Sequence, residues 1–170
     1  MRLAALTLAA LGWVAPALFH PACAAPACNS HDLALLTDAQ GGDFNGMSHA
    51  GTMLILHNSG KTACSLPTRP KIALTAADGR PVETRATRPA GGTGQAAGAT
   101  IAVPPGGEAQ ASLRWVSGDV YDHGHCADAA ALRLALPDGG LDTPIAAHLC
   151  GPSGQPAGIE QGDLVPRSGH

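Results

Sequence analysis

Aromatic side chains are nearly missing from this chain: two Phe, two Trp and one Tyr make up 3% of its 170 residues. Trp13 and Phe19 fall in the opening segment, so the body of the protein has only Phe44, Trp115 and Tyr121. A core of stacked rings is therefore excluded. Leu, Val, Ile and many Ala must build it, and small side chains bury little area each at about 25 cal/mol per Å². Lysine is equally scarce, with Lys61 and Lys71 alone, and the formal net charge is -3. There is no basic surplus of the kind that holds a nucleic-acid backbone. Beyond the opening segment no stretch sustains a 3.6-residue apolar period, which argues against a helical bundle. A Gly-x-Ser-x-Gly elbow is missing too, and Gly91 to Gly94 matches a phosphate loop in composition only.

What is present begins with an export signal. Arg2 supplies a positive start, Leu3 to Leu18 is an apolar run broken by Gly12 and Pro16, and Ala22-Cys23-Ala24 fits small-x-small cleavage. The run is too short and interrupted to span about 30 Å of bilayer as a stable helix. The expectation is a signal peptide over 1–24 and a secreted or periplasmic domain over 25–170. A lipid anchor is the competing reading, because Cys23 and Cys28 each follow Pro-Ala. A lipobox usually carries Leu three residues before its Cys, where this chain has His20 and Ala25, so the anchor is not expected.

Four cysteines remain after cleavage: Cys28, Cys64, Cys126 and Cys150. An even number in an exported chain implies disulfides, and four cysteines allow three pairings. The turn Asp138-Gly139-Gly140 lies midway between Cys126 and Cys150. A hairpin there would bring those two together at its open end and leave Cys28 for Cys64. One detail conflicts with this. Cys126 shares parity with the apolar Leu132, Leu134 and Leu136, whereas Cys150 has the polar parity against Ile145, Ala147 and Leu149. A bulge, or Cys126 lying outside the strand, would remove the conflict.

The apolar segments are short and punctuated by Gly or Pro. Strands are predicted at Leu33 to Thr37, Thr52 to His57, Lys71 to Ala76, Pro81 to Thr87, Thr100 to Val103, Ala109 to Val116, Ala131 to Leu136, Thr143 to Leu149 and Ile159 to Val165. Asn58-Ser59-Gly60 and Asp78-Gly79 are strong turn signals. Residues 88–99 are nearly all Gly, Ala, Thr and Gln and read as a mobile loop. Short strands with turns between them predict an all-β protein, an antiparallel β-sandwich of about seven to nine strands stapled by two disulfides. Trp115 would stand at its core.

The order of these features resembles an exported bacterial family, domain of unknown function 4232. The likeness rests on Cys28 ahead of the first strand, Gly46-Met47-Ser48-His49, Asn58-Ser59-Gly60, and Cys64-Ser65-Leu66-Pro67. It continues through Asp78-Gly79, Val103-Pro104-Pro105-Gly106-Gly107-Glu108-Ala109, then Cys126 and finally Cys150-Gly151. It spans nearly the whole chain after the signal. Pro67 directly after Leu66 departs from the common pattern at one turn. The resemblance implies an immunoglobulin-like sandwich and supplies no catalytic residues.

Metal binding is the sharpest chemical hypothesis. Met47, His49, Met53 and His57 cluster in sequence, and His123-Gly124-His125 precedes Cys126. Thioether and imidazole ligands suit copper. Met53 and His57 would stand about 13 Å apart on a regular strand and cannot share an ion, whereas His123 and His125 at about 7 Å could. The candidate ligands are thus Met47, His49, His123 and His125, against a plainer reading as loop and turn residues. Asp119, Asp122 and His123 are close in sequence without forming a triad, and an enzyme is not expected. Lys61, Arg69, Lys71, Arg80, Arg85 and Arg88 outnumber Asp78 and Glu83 in the middle third, which could form a patch for an anionic polymer or simply a solvated face. The leading expectation is a non-catalytic binding or interaction module of the cell envelope whose partner is an unidentified protein or polymer. Copper binding is the alternative.

Overall fold

The structure is a computed structural model that describes residues 25–90, 96 and 98–168. The expected signal peptide with Cys23, and part of the loop expected at 88–99, lie outside the described residues.

Among the described residues the chain forms β1 (Leu33–Asp38), β2 (His49–Asn58), β3 (Cys64–Pro67), β4 (Ile72–Thr75), β5 (Pro81–Val82) and β6 (Thr84–Thr87). It continues with β7 (Thr100–Val103), β8 (Glu108–Val116), β9 (His125–Leu136), β10 (Gly139–Gly151), β11 (Ala157–Gln161) and β12 (Val165–Arg167). The larger sheet runs β1-β2-β8-β11-β6, with β12 also on β8. The second runs β10-β9-β4-β5, and β3 with β7 forms a two-stranded ribbon. The strand segments outnumber the expected seven to nine because several hold only two to four residues.

Side chains alternate across these strands as a half-buried sheet requires. In β8, Ala109, Ala111, Leu113 and Trp115 point inward and are buried. They meet Leu132 and Leu134 of β9 and Leu149 of β10 in one apolar cluster, which also takes Leu54 and Leu56 of β2. With so few rings, leucine fills most of that space.

Both favoured disulfides are present. Cys28–Cys64 ties the segment before β1 to β3, and Cys126–Cys150 joins β9 to β10 as directly facing residues. The parity conflict is resolved by a bulge. Pro144 faces Ala131 but Ala147 faces Ala129, so Ile145 and Ala146 stand against Ala130 alone. Beyond the irregularity the buried positions of β9 move from Leu132 and Leu134 to Ala129, and Cys126 turns to the outer face.

The segment expected as one strand at Pro81 to Thr87 divides at Glu83. Its first part edges the small sheet on β4 and its second joins β11 in the large sheet. That second pairing is parallel, as befits a chain crossing between layers rather than turning back on itself. β3 escapes the sequence pattern because four residues, one of them Pro67, show too little alternation. It is held by the Cys28–Cys64 bridge and by β7.

Asn58 closes the end of β2 and is fully buried. Its Nδ2 donates to the carbonyls of Thr62 and Val103, each at 2.9 Å, and its Oδ1 accepts the Gly60 N–H at 2.9 Å. The first and last described residues gather at this pole. Leu33 faces Asn58 at the start of β1, Arg167 of β12 faces Glu108, and Ser30 donates to Asp138 at the β9–β10 turn. The opposite pole holds the other ends of the same strands, where His49 faces Val116 and Gly151 packs on Ala157.

Candidate functional site

At that second pole, β9 outruns its neighbour. β4 ends at Thr75, opposite Ala131, so among the described residues no strand of the small sheet pairs with His125 to Ala130 on the side away from β10. The Cα atoms of Cys126 and Cys150 are 4.1 Å apart, the spacing of a non-hydrogen-bonded antiparallel pair. The backbone N–H and C=O of Cys126, and of Asp128 two residues on, therefore point away from β10. Among the described residues they carry no ladder to a second strand.

These groups open onto a groove of about 670 Å³ between β9 and the β4–β5 turn. The turn leaves β4 sharply because Gly79 takes the left-handed conformation, φ 81°, and the Asp78 carboxylate accepts the Arg80 N–H at 3.1 Å. Leu149 and Ala157 reach the groove from the core, while Asp78, Arg80, Glu83 and Asp128 form its rim. Its bottom is thus apolar and its edge charged.

The rim is acidic. Three carboxylates, from Asp78, Glu83 and Asp128, stand against one guanidinium. Arg80 Nε lies 2.6 Å from Asp78, and the Arg80 backbone N–H followed by its guanidinium holds the Asp78 carboxyl below its ordinary pKa. Asp128 Oδ1 lies 2.6 Å from Nδ1 of His148 on β10. The exposed carboxylate of Glu83 has neither hydrogen bond nor ion pair among the described residues.

The four candidate metal ligands come to this same pole but not to one point. Met47 is wholly exposed. His49 Nδ1 lies 3.2 Å from the Ser48 hydroxyl and lines a separate recess of about 160 Å³ with Trp115 and Tyr121. His123 sits in a turn with φ 55°, and His125 faces the groove. His57 is at the far end of β2, 3.8 Å from Glu108. Among the described residues, the ligand-type atoms that do converge in a group of three belong to Cys126, His148 and Cys150, within 4.8 Å of one another. Both sulfurs are committed to the disulfide, which leaves a single imidazole.

Two of the basic residues of the middle third are held in ion pairs. Arg69 is half-buried against Asp163 at 2.6 Å, and Arg80 is paired with Asp78. Asp119, Asp122 and His123 are exposed on the β8–β9 loop with no hydrogen bond joining them. Trp115 is buried, as its strand position predicts, although its indole Nε1 has no partner among the described protein groups.

Sequence reasoning missed the groove because it began β9 at Ala131. The stretch Ala127-Asp128-Ala129-Ala130-Ala131 offers no apolar alternation. The usable signal was the mismatch between a strand stopped by Asp78-Gly79 and a partner running back to Cys126.

The chain belongs to the family described as domain of unknown function, DUF4232, whose model matches residues 28–161. Comparison with curated proteins and with solved structures gave no match.

Proposed function

We propose that this member of the family is a non-catalytic interaction module of the cell envelope or exterior, and that it meets its partner through the groove beside β9. The observation that carries the reading is the stretch of β9 without a second neighbour, set along a groove with an apolar bottom and an acidic rim. Binding sites of this kind lie where a rigid scaffold leaves backbone and loops exposed. Two disulfides support an oxidising compartment. They also leave Cys28, Cys64, Cys126 and Cys150 without a thiolate for nucleophilic chemistry.

Site-specific photo-crosslinking tests this in the exported protein. A photoreactive residue is placed at His125 or Glu83 on the groove, or at Lys61 or Pro105 on the far pole. The expected result is a common discrete adduct from both groove positions and none from the far pole. Adducts at the far pole alone, at all four positions alike, or at none would sink the reading.

A further inference from the structure

The groove has room for more than side-chain contact, and its chemistry specifies an occupant. We infer that it accepts an extended basic segment of another protein, which adds as a strand to β9 at Cys126 to Ala130. This rests on the groove being the contact surface and names what fills it.

Three observations converge. First, the close Cα spacing of Cys126 and Cys150 turns the N–H and C=O of Cys126 and Asp128 away from β10, with no strand among the described residues to receive them, while His125 to Ala129 pair with β10 on the other edge. Backbone amides left on a strand edge are a template for a guest strand. Second, the place is already strand-shaped. A guest would lie beside β9 past the point where β4, its antiparallel neighbour over Ile72–Thr75, turns away through Ala76 and Ala77. Five residues, Cys126 to Ala130, give a footprint of about 16 Å at strand rise. Third, the surroundings select for alternation and positive charge. Side chains on one face of the guest would rest toward Leu149 and Ala157, where small or aliphatic residues fit. Those on the other face would reach the rim, where the Glu83 carboxylate lacks a partner among the described residues while Asp78 is paired with Arg80 and Asp128 with His148. An anionic segment meets repulsion at that rim and a cationic one does not.

The disulfide has a positioning role here. Cys126 and Cys150 lock β9 to β10 beside the proposed docking stretch, so the amide edge is held extended before a guest arrives. Preorganisation of this kind lowers the entropic cost of binding.

The test uses the oxidised protein, ¹⁵N-labelled, and three synthetic peptides of about ten residues. One alternates lysine with valine, the second replaces lysine by glutamate, and the third is the lysine peptide N-methylated at alternate positions so that it cannot pair as a strand. The lysine peptide is expected to bind, shifting the amide signals of Cys126 and Asp128 and slowing their hydrogen exchange. The N-methylated peptide is expected to lose binding. The variant Glu83→Lys with Asp128→Lys should weaken the lysine peptide roughly tenfold and reverse the preference toward glutamate. Equal binding of the N-methylated peptide, or protection of amides elsewhere, overturns strand addition. So does failure of the lysine peptide to bind while photo-crosslinks still map to His125 and Glu83, an outcome that leaves the groove itself standing as the contact surface. Failure of both experiments removes the groove as well.

Discussion

Replacing Asn58 by Ala should cost this domain about 3 kcal/mol, and the figure follows from the contacts of one buried amide. The side chain is wholly excluded from solvent. Truncation removes three hydrogen bonds, to the carbonyls of Thr62 and Val103 and from the N–H of Gly60. Each contributes a net of about 1 kcal/mol, and the Val103 carbonyl loses its donor in a buried place that water reaches poorly. The backbone bonds of residue 58 to Gly107 and from Gly106 survive the change, so the loss is confined to the side chain. For a domain of this size about 3 kcal/mol lowers the melting temperature by roughly 6–12 °C. Urea denaturation of both proteins with disulfides intact measures it, provided that fluorescence and circular dichroism transitions coincide. Asn58→Asp supplies a second reading. It keeps an acceptor for Gly60 but sets a carboxylate against two carbonyl oxygens. It should therefore be worse than Ala at neutral pH and recover part of the gap in acid, where the protonated carboxyl can donate. An Asn58→Ala protein within about 0.5 kcal/mol of wild type would refute the reasoning, since a typical net hydrogen bond is worth about 1 kcal/mol.

Two further outcomes are expected. Replacing both Cys126 and Cys150 by Ala opens a loop of sequence separation 24 and should lower stability by about 3.5 kcal/mol on the loop-entropy model. Urea unfolding with the Cys28–Cys64 bridge verified by mass reads this, and a loss below about 1 kcal/mol would reject the model. Asp138→Ala should show a pH-dependent deficit. The backbone N–H and then the hydroxyl of Ser30, each 2.9 Å from Asp138, hold its carboxyl below the ordinary value of 3.8. A depressed carboxyl stabilises the fold above 3.8, and that contribution fades as pH falls through the lowered value. Melting temperatures of wild type and variant should thus differ at neutral pH and converge in acid. A gap that stays constant down to pH 3 would assign the effect to something other than ionisation.

Much of the scaffold is legible in the sequence. Cys126 and Cys150 could be paired from their symmetry about Asp138, because a hairpin makes spatial distance a function of residue number. Trp115 could be placed inside because β8 alternates cleanly around it. Even the bulge was implied by a parity that failed to match across Cys126 and Cys150. Less legible was anything depending on where one strand stops relative to another. β3 is defined by its partner β7 and by a disulfide, not by its own four residues. The first half of β9 is alanine-rich and becomes a strand because β10 lies beside it. The groove is a difference in length between β4 and β9, two elements far apart in sequence. The ligand candidates show the same limit. Met47, His49, His123 and His125 do reach one pole, yet sequence could not tell that His49 and His125 would open onto separate recesses.

The gathering of the first and last described residues at the Asn58 pole gives the domain a direction. β9 runs from Leu136, beside the Asp138–Ser30 contact, to His125 at the groove, roughly 36 Å at strand rise. Ala25 and Ser168, the first and last described residues, therefore stand at the pole away from the groove. A support that held Ala25 and Ser168 would leave the open stretch of β9 on the side away from it, like a lamp on a bracket.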